Sequence, residues 1–208
     1  MSKHRFIVKH RGSLAAVAAV SAVAVGVGVM ASAGAAEPQN SAKAPVRKVV
    51  VRTTFSPVSE VAGAKAVTYN SALVPEGARV QVKEELRRDG GTRIELSVRD
   101  LVPNRVYGVH VHTKPCGALP TDAGPHYQNQ VDPTQPSVDP AYANRLNEIW
   151  LDLATNKDGS DRSMAIVAWQ FRAGGARSVV LHEMGTAMHP GHAGTAGARL
   201  ACVNVPFE

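Results

Sequence analysis

The chain has 208 residues, a formal net charge of +6 and a sequence pI near 9.6. Four basic residues, Lys3, Arg5, Lys9 and Arg11, fall in the first 36 positions with no acid to offset them, so the remainder carries only about +2 of that charge. A body this weakly basic, without a Lys/Arg-rich cluster, gives no footing for nucleic-acid binding.

The first element is an export signal over residues 1–36: the basic residues precede an apolar run from Leu14 to Met30 that ends in small residues. Ala31, Ala33 and Ala35 alternate as the cleavage rule requires, leaving cleavage after Ala33 and after Ala35 both open. The rival is a retained anchor, since about 17 apolar residues just suffice to span a bilayer. Its Ala, Gly and Ser content favours cleavage, and membrane attachment is expected only if the signal stays uncleaved. The protein is therefore expected to be secreted or held in the cell envelope.

Residues 37–208 suffice for one domain with its own core. Residues 37–63 mix Pro, Ala, Ser and basic residues and read as a linker, with Lys48–Thr53 a candidate short strand; the domain proper is expected over 64–208. There the pattern is period two. Val80 and Val82 alternate with polar neighbours, as do Ile94, Leu96 and Val98, with Asp89-Gly90-Gly91 between them as a hairpin turn. Lys157-Asp158-Gly159 opens a second such run, Ser163 to Phe171, and Ala173-Gly174-Gly175 separates it from Ser178 to His182. Short strands with regular turns indicate a sandwich or barrel. Pro115 to Pro140 is rich in Pro, Gly, Asn and Asp and reads as a long functional loop, and Ala141 to Asp152 has room for a helical turn or two. Cys116 and Cys202, an even pair in an exported chain, are expected to form one disulfide, the alternative being two buried thiols.

Six histidines lie beyond the signal, and four of them form a pattern. On a strand from Tyr107 to His112, His110 and His112 project from one face and Val109 and Val111 from the other, so two imidazoles stand side by side on a rigid support. Further along come Gly124-Pro125-His126 at the end of the loop, Val180-Leu181-His182-Glu183 at the end of a strand, and Arg199-Leu200-Ala201-Cys202. In this order, over about residues 64–205, the chain resembles the copper/zinc superoxide dismutases. The resemblance implies an all-β fold, a Greek-key β-sandwich or flattened barrel of about eight antiparallel strands with long functional loops. It implies copper held by His110, His112, His126 and His182, with Arg199 guiding the superoxide anion, His126 also moving a proton, and Cys116 bonded to Cys202.

One departure concerns zinc. Between His126 and His182 there is no histidine, and Asn147 to Asp152 occupies the region where the family's zinc ligands are expected. This resembles a copper-only branch, with zinc expected to be absent. His126 would then bridge nothing, and its second ring nitrogen would need an acceptor: Glu148 is the first candidate and Asp152 the second. Weak zinc binding by carboxylates of Asp132, Asp139, Glu148 or Asp152 stays open. A second departure is that only 16 residues separate His182 from Arg199, fewer than the family usually has, so the copper should be more open. Met184, Met188, His189 and His192 populate this segment and allow a second-metal reading beside that of a solvated loop. The functional expectation is an exported copper-dependent superoxide dismutase; the alternative is a copper-binding or copper-delivery module of the same fold, which would have no need of Arg199.

Overall fold

The computed structural model describes residues 47–208. The expected export signal and the first part of the expected linker lie outside them. Among the described residues no helix is long and apolar enough to cross a membrane.

Eleven strands among the described residues form two main sheets and one small ribbon. In the first sheet, β1 (Lys48–Thr54), β4 (Arg79–Leu86), β5 (Thr92–Arg99) and β9 (Asp161–Val167) follow one another in that order, all antiparallel. Its amphipathic pattern explains why it forms. Val80, Val82, Ile94, Leu96 and Val98 point inward and are at most 3% exposed. Opposite charges face each other outside, Lys48 beside Glu85 and Lys83 beside Glu95, in registered cross-strand positions. The turn between β4 and β5 places Gly90 at φ 85°, in the left-handed region that glycine enters without steric cost.

The second sheet runs β2 (Ser56–Pro57), β3 (Ala66–Thr68), β11 (Arg199–Asn204), β10 (Ser178–His182) and β7 (Val109–His112), with only the short β2–β3 pair parallel. It packs against the first sheet through Val109, Val111, Val179, Leu181, Ala201 and Val203, which join the inward residues of β4 and β5 in one core. Its other face is covered too: Val67, Val180 and Cys202 form a smaller cluster with Ala123 from the loop after β7. The sandwich is thus the all-β architecture expected, with eight strands of three residues or more and three of two.

Three local expectations change. The linker does not reach residue 63: β1 pairs over its whole length with β4, so the sandwich begins at Lys48. Ala141 to Asp152 forms turns and no helix, because Asn144 uses its side-chain oxygen to accept from Leu146 and Asn147 N–H, a local competitor of helical bonding. The run from Tyr107 to His112 is broken at Gly108. Before it, β6 (Val106–Tyr107) pairs with β8 (Leu153–Ala154); after it, β7 pairs with β10. Gly108 donates its N–H to Met184 O at 2.6 Å, and a Cβ there would lie 2.5 Å from the Ala196 side chain, so this crossing requires glycine.

Candidate metal centre

Strand periodicity aims the first two imidazoles. Val109 and Val111 go to the core, so His110 and His112 emerge on the opposite face, where both are fully buried rather than solvated. On the neighbouring strand Leu181 goes to the core and His182, at the strand end, joins them at 4% exposure. The loop after β7 returns beside that strand, with His126 opposite His112 in an isolated antiparallel bridge. A ligand atom of each of the four histidines lies within 4.8 Å of the other three.

Hydrogen bonds fix which nitrogen of each ring faces inward. A carbonyl only accepts, so His112 Nδ1 must donate to Gly124 O at 2.9 Å and His182 Nδ1 to Gly197 O at 3.4 Å. Both Nε2 atoms are then lone pairs, and they face each other at 3.3 Å with no proton between them. Glu148 Oε2 accepts from His126 Nδ1 at 2.9 Å, leaving His126 Nε2 free. Thr186 Oγ1 gives its one proton to Asp152 Oδ1 at 2.6 Å, so it accepts from His110 Nε2 at 2.7 Å. That leaves His110 Nδ1 as the inward atom, and it is buried without a hydrogen-bond partner.

Four converging lone pairs, one orphaned and two face to face, are an arrangement that water-free burial penalises and a cation satisfies. Burial, and then the neighbouring imidazoles, hold His110 and His112 well below the usual histidine range. His182 is pushed down to about 3, chiefly by burial. These three rings are therefore neutral, which is the state that ligates metal. Four nitrogen donors without carboxylate suit a transition metal of the copper or zinc kind and disfavour calcium or magnesium.

Glu148 is 2% exposed and is itself held by Gln128 Nε2 at 2.8 Å and Trp150 Nε1 at 2.6 Å. It therefore stands where an acceptor for His126 was expected. Asp152 does not reach His126: its carboxylate takes Thr186 N and Oγ1 and the Val109 N–H, and so supports His110 from the other side of the site. The remaining acids are occupied locally, Asp132 by Thr134 N and Ser137 Oγ and Asp139 by Ala141 N. Among the described residues, the four histidines form the one group of three or more with metal-ligand spacing. Thr186, Gln128 and Trp150 were not anticipated, and nothing in their local sequence marks them.

A cleft of about 810 Å³ opens beside the cluster. Of the four histidines only His126, 20% exposed, lines it, together with Arg199, Gly197, Pro136 and Val138. Arg199 sits opposite His182 across β10 and β11, half-buried, with Nη1 donating to Pro120 O at 3.0 Å. Its positive charge is close enough to disfavour protonation of His112 and His182. Cys116 and Cys202 form a disulfide that ties the loop carrying Gly124 and His126 to β11, the strand that begins at Arg199.

An all-imidazole centre at one edge of a sheet covered on both faces makes this a β-sandwich of the metal-binding class. Residues 77–205 match the copper/zinc superoxide dismutase family, and the chain belongs to that family. Among solved structures it is similar to a double mutant of a SOD-like protein from Bacillus subtilis, with 19% identity and a TM-score of 0.45 over 62% of this chain and 88% of that one. It is also similar to the clock protein EA4, with 21% identity and a TM-score of 0.49 over 77% of this chain and 94% of that one. No curated protein gives a significant match.

Proposed function

We propose that the protein is an exported, copper-dependent superoxide dismutase whose copper is held by His110, His112, His126 and His182 without a companion zinc. The observation that carries this reading is the set of inward lone pairs, Nδ1 of His110 and Nε2 of the other three, each fixed by a bond at the opposite nitrogen. The four histidines would hold copper, which when bound would supply the one-electron chemistry by which two superoxide anions and two protons become dioxygen and hydrogen peroxide.

The chain's own residues do the rest. Arg199 places a fixed positive charge in the lining of the cleft, which draws the anion in and orients it. His126 is the histidine that meets the cleft, and its Nε2 is the ring atom through which a proton would reach the arriving substrate. Glu148 keeps the Nδ1 proton in place and fixes the ring's direction. The same contact favours a copper-only site, because a bridging histidine needs both nitrogens for metals and Glu148 occupies one of them. Residues 1–36, with their basic start and apolar run, support export.

The test is to load the purified protein with Cu(II), remove loosely held metal with a weak chelator, and measure metal content and superoxide consumption together, with His110→Ala alongside. About one copper per chain, no zinc, and turnover that disappears in the variant is the expected result. Stoichiometric copper with negligible turnover would establish the copper-delivery reading instead.

A further inference from the structure

We infer that His189 and His192, with Met188 beside them, form a second, surface site for monovalent copper, which captures the metal before it passes to the four-histidine centre. The capture role rests on the proposed copper site; the binding itself does not.

His189-Pro190-Gly191-His192 is a tight turn. Proline presets the first central position, Gly191 takes φ 80° at the second, and His192 N donates to His189 O at 3.1 Å. A turn of this kind brings its first and last residues together, and the two imidazole centroids stand 4.9 Å apart. Both rings are exposed. The loop that carries them is closed at its base by Ala187 N to Thr195 O and Gly194 N to Ala187 O, each 2.9 Å. Thr195 further clamps the turn, its N–H and Oγ1 both donating to His192 O. The imidazole pair is thus presented on a fastened loop, and little ordering is left for a metal to impose.

The donor set selects the ion. Met188, 66% exposed, directly precedes His189 in the chain and is the thioether available to the pair, whereas Met184 lies further back against Gly197. No acidic residue occurs between Glu183 and Arg199, so hard cations find no oxygen charge here. Imidazole with thioether and no carboxylate is the chemistry of cuprous ion.

The base of the loop is where capture meets use. Ala193 is fully buried against Ala143 and Trp150, and Trp150 holds the carboxylate that fixes His126. A Cβ at Gly194 would lie 3.7 Å from His126 Nδ1, so the backbone two residues beyond His192 runs beside that ring. On the other side of the closed base, Thr186 precedes Ala187 and holds His110.

The experiment is an anaerobic titration of the metal-free full chain with Cu(I), using bicinchoninate as competing chromophore, on wild type and His189→Ala/His192→Ala. The exposed loop tip makes the double substitution compatible with folding, which circular dichroism checks. Wild type should take up about two equivalents, and the double variant should lose the weaker by on the order of tenfold or more in affinity. At limiting Cu(I), the variant should fill the four-histidine site more slowly and to the same final extent. Equal uptake and affinity in both proteins would overturn the loop site. If wild type binds a single equivalent that the double variant loses, the loop stands and the four-histidine site fails; a single equivalent retained by the variant means that the four-histidine site stands and the loop fails.

Discussion

An imidazole offers a lone pair only at the nitrogen that carries no proton, so the groups behind the four histidines decide what the centre can hold. Glu148→Ala removes the shared acceptor of His126, Gln128 and Trp150 at a position 2% exposed. Stranding those donors should cost about 3 kcal/mol of metal-free stability in denaturant unfolding and about 10–100-fold in copper affinity; wild-type values of both would remove its assigned role. Thr186→Val should break the link from Asp152 to His110 and lower copper affinity over a similar range, about 10–100-fold, with an altered visible spectrum of the Cu(II) protein as a second readout. Arg199→Gln should lower the superoxide rate and flatten its dependence on ionic strength, since a steering charge is screened by salt; an unchanged rate and salt slope would remove Arg199 from the reaction. The four clustered histidines are legible in the sequence: strand alternation pairs His110 with His112, and the family resemblance adds His126 and His182. Glu148 is legible as a candidate because an unbridged His126 needs an acceptor. Asp152 shows the limit: the sequence offers it as a second acceptor for His126, but the fold places its carboxylate on Thr186, behind His110.

Among the elements, the sheet with one solvated face reads cleanly from its period-two pattern, and the sheet that carries the site does not. Every residue of β10 and β7 is buried, because the outer face lies under the loop after β7 and the segment after His182. Covered strands lose the polar half of their alternation, so the sequence indicates strands there but not their environment. The loop owes its position to Tyr69 Oη donating to Gly117 O, Ser178 Oγ donating to Lys114 O, and the disulfide across 86 residues of chain. Opening it with Cys116→Ser/Cys202→Ser should cost about 2–4 kcal/mol in unfolding free energy. Copper affinity should fall as well, because Gly124 and His126 sit on the released loop. Unchanged affinity would mean that the hydrogen bonds alone position it.

For the whole molecule, pH acts through two opposed sets of buried groups. His110, His112 and His182 are depressed in the fold below the ordinary 6.5, His182 to about 3, so their contribution is complete above pH 6.5 and is lost as pH falls through that range. Glu84 faces the core beside the chain end, accepts from Glu208 N–H, and is raised by burial from 4.5 to about 7. Its contribution is complete below pH 4.5 and is lost as pH rises through about 7. Three groups against one make the metal-free protein lose thermal stability as pH drops below 6.5, and Glu84→Gln should steepen that loss by removing the smaller opposing change between pH 4.5 and about 7. Copper should deepen the acid sensitivity, since metal and protons compete for the same lone pairs. A melting temperature independent of pH between about 4 and 7 would contradict this balance.

Whether one copper on four imidazoles, without zinc, makes this sandwich a dismutase is decided by following superoxide decay while copper is added stepwise to the metal-free protein, with and without zinc. The rate should rise in proportion to copper, level at about one equivalent, and be indifferent to zinc. Copper binding that saturates at one equivalent with no gain in rate, or a rate that appears only when zinc is present, would show that the site works in some other way.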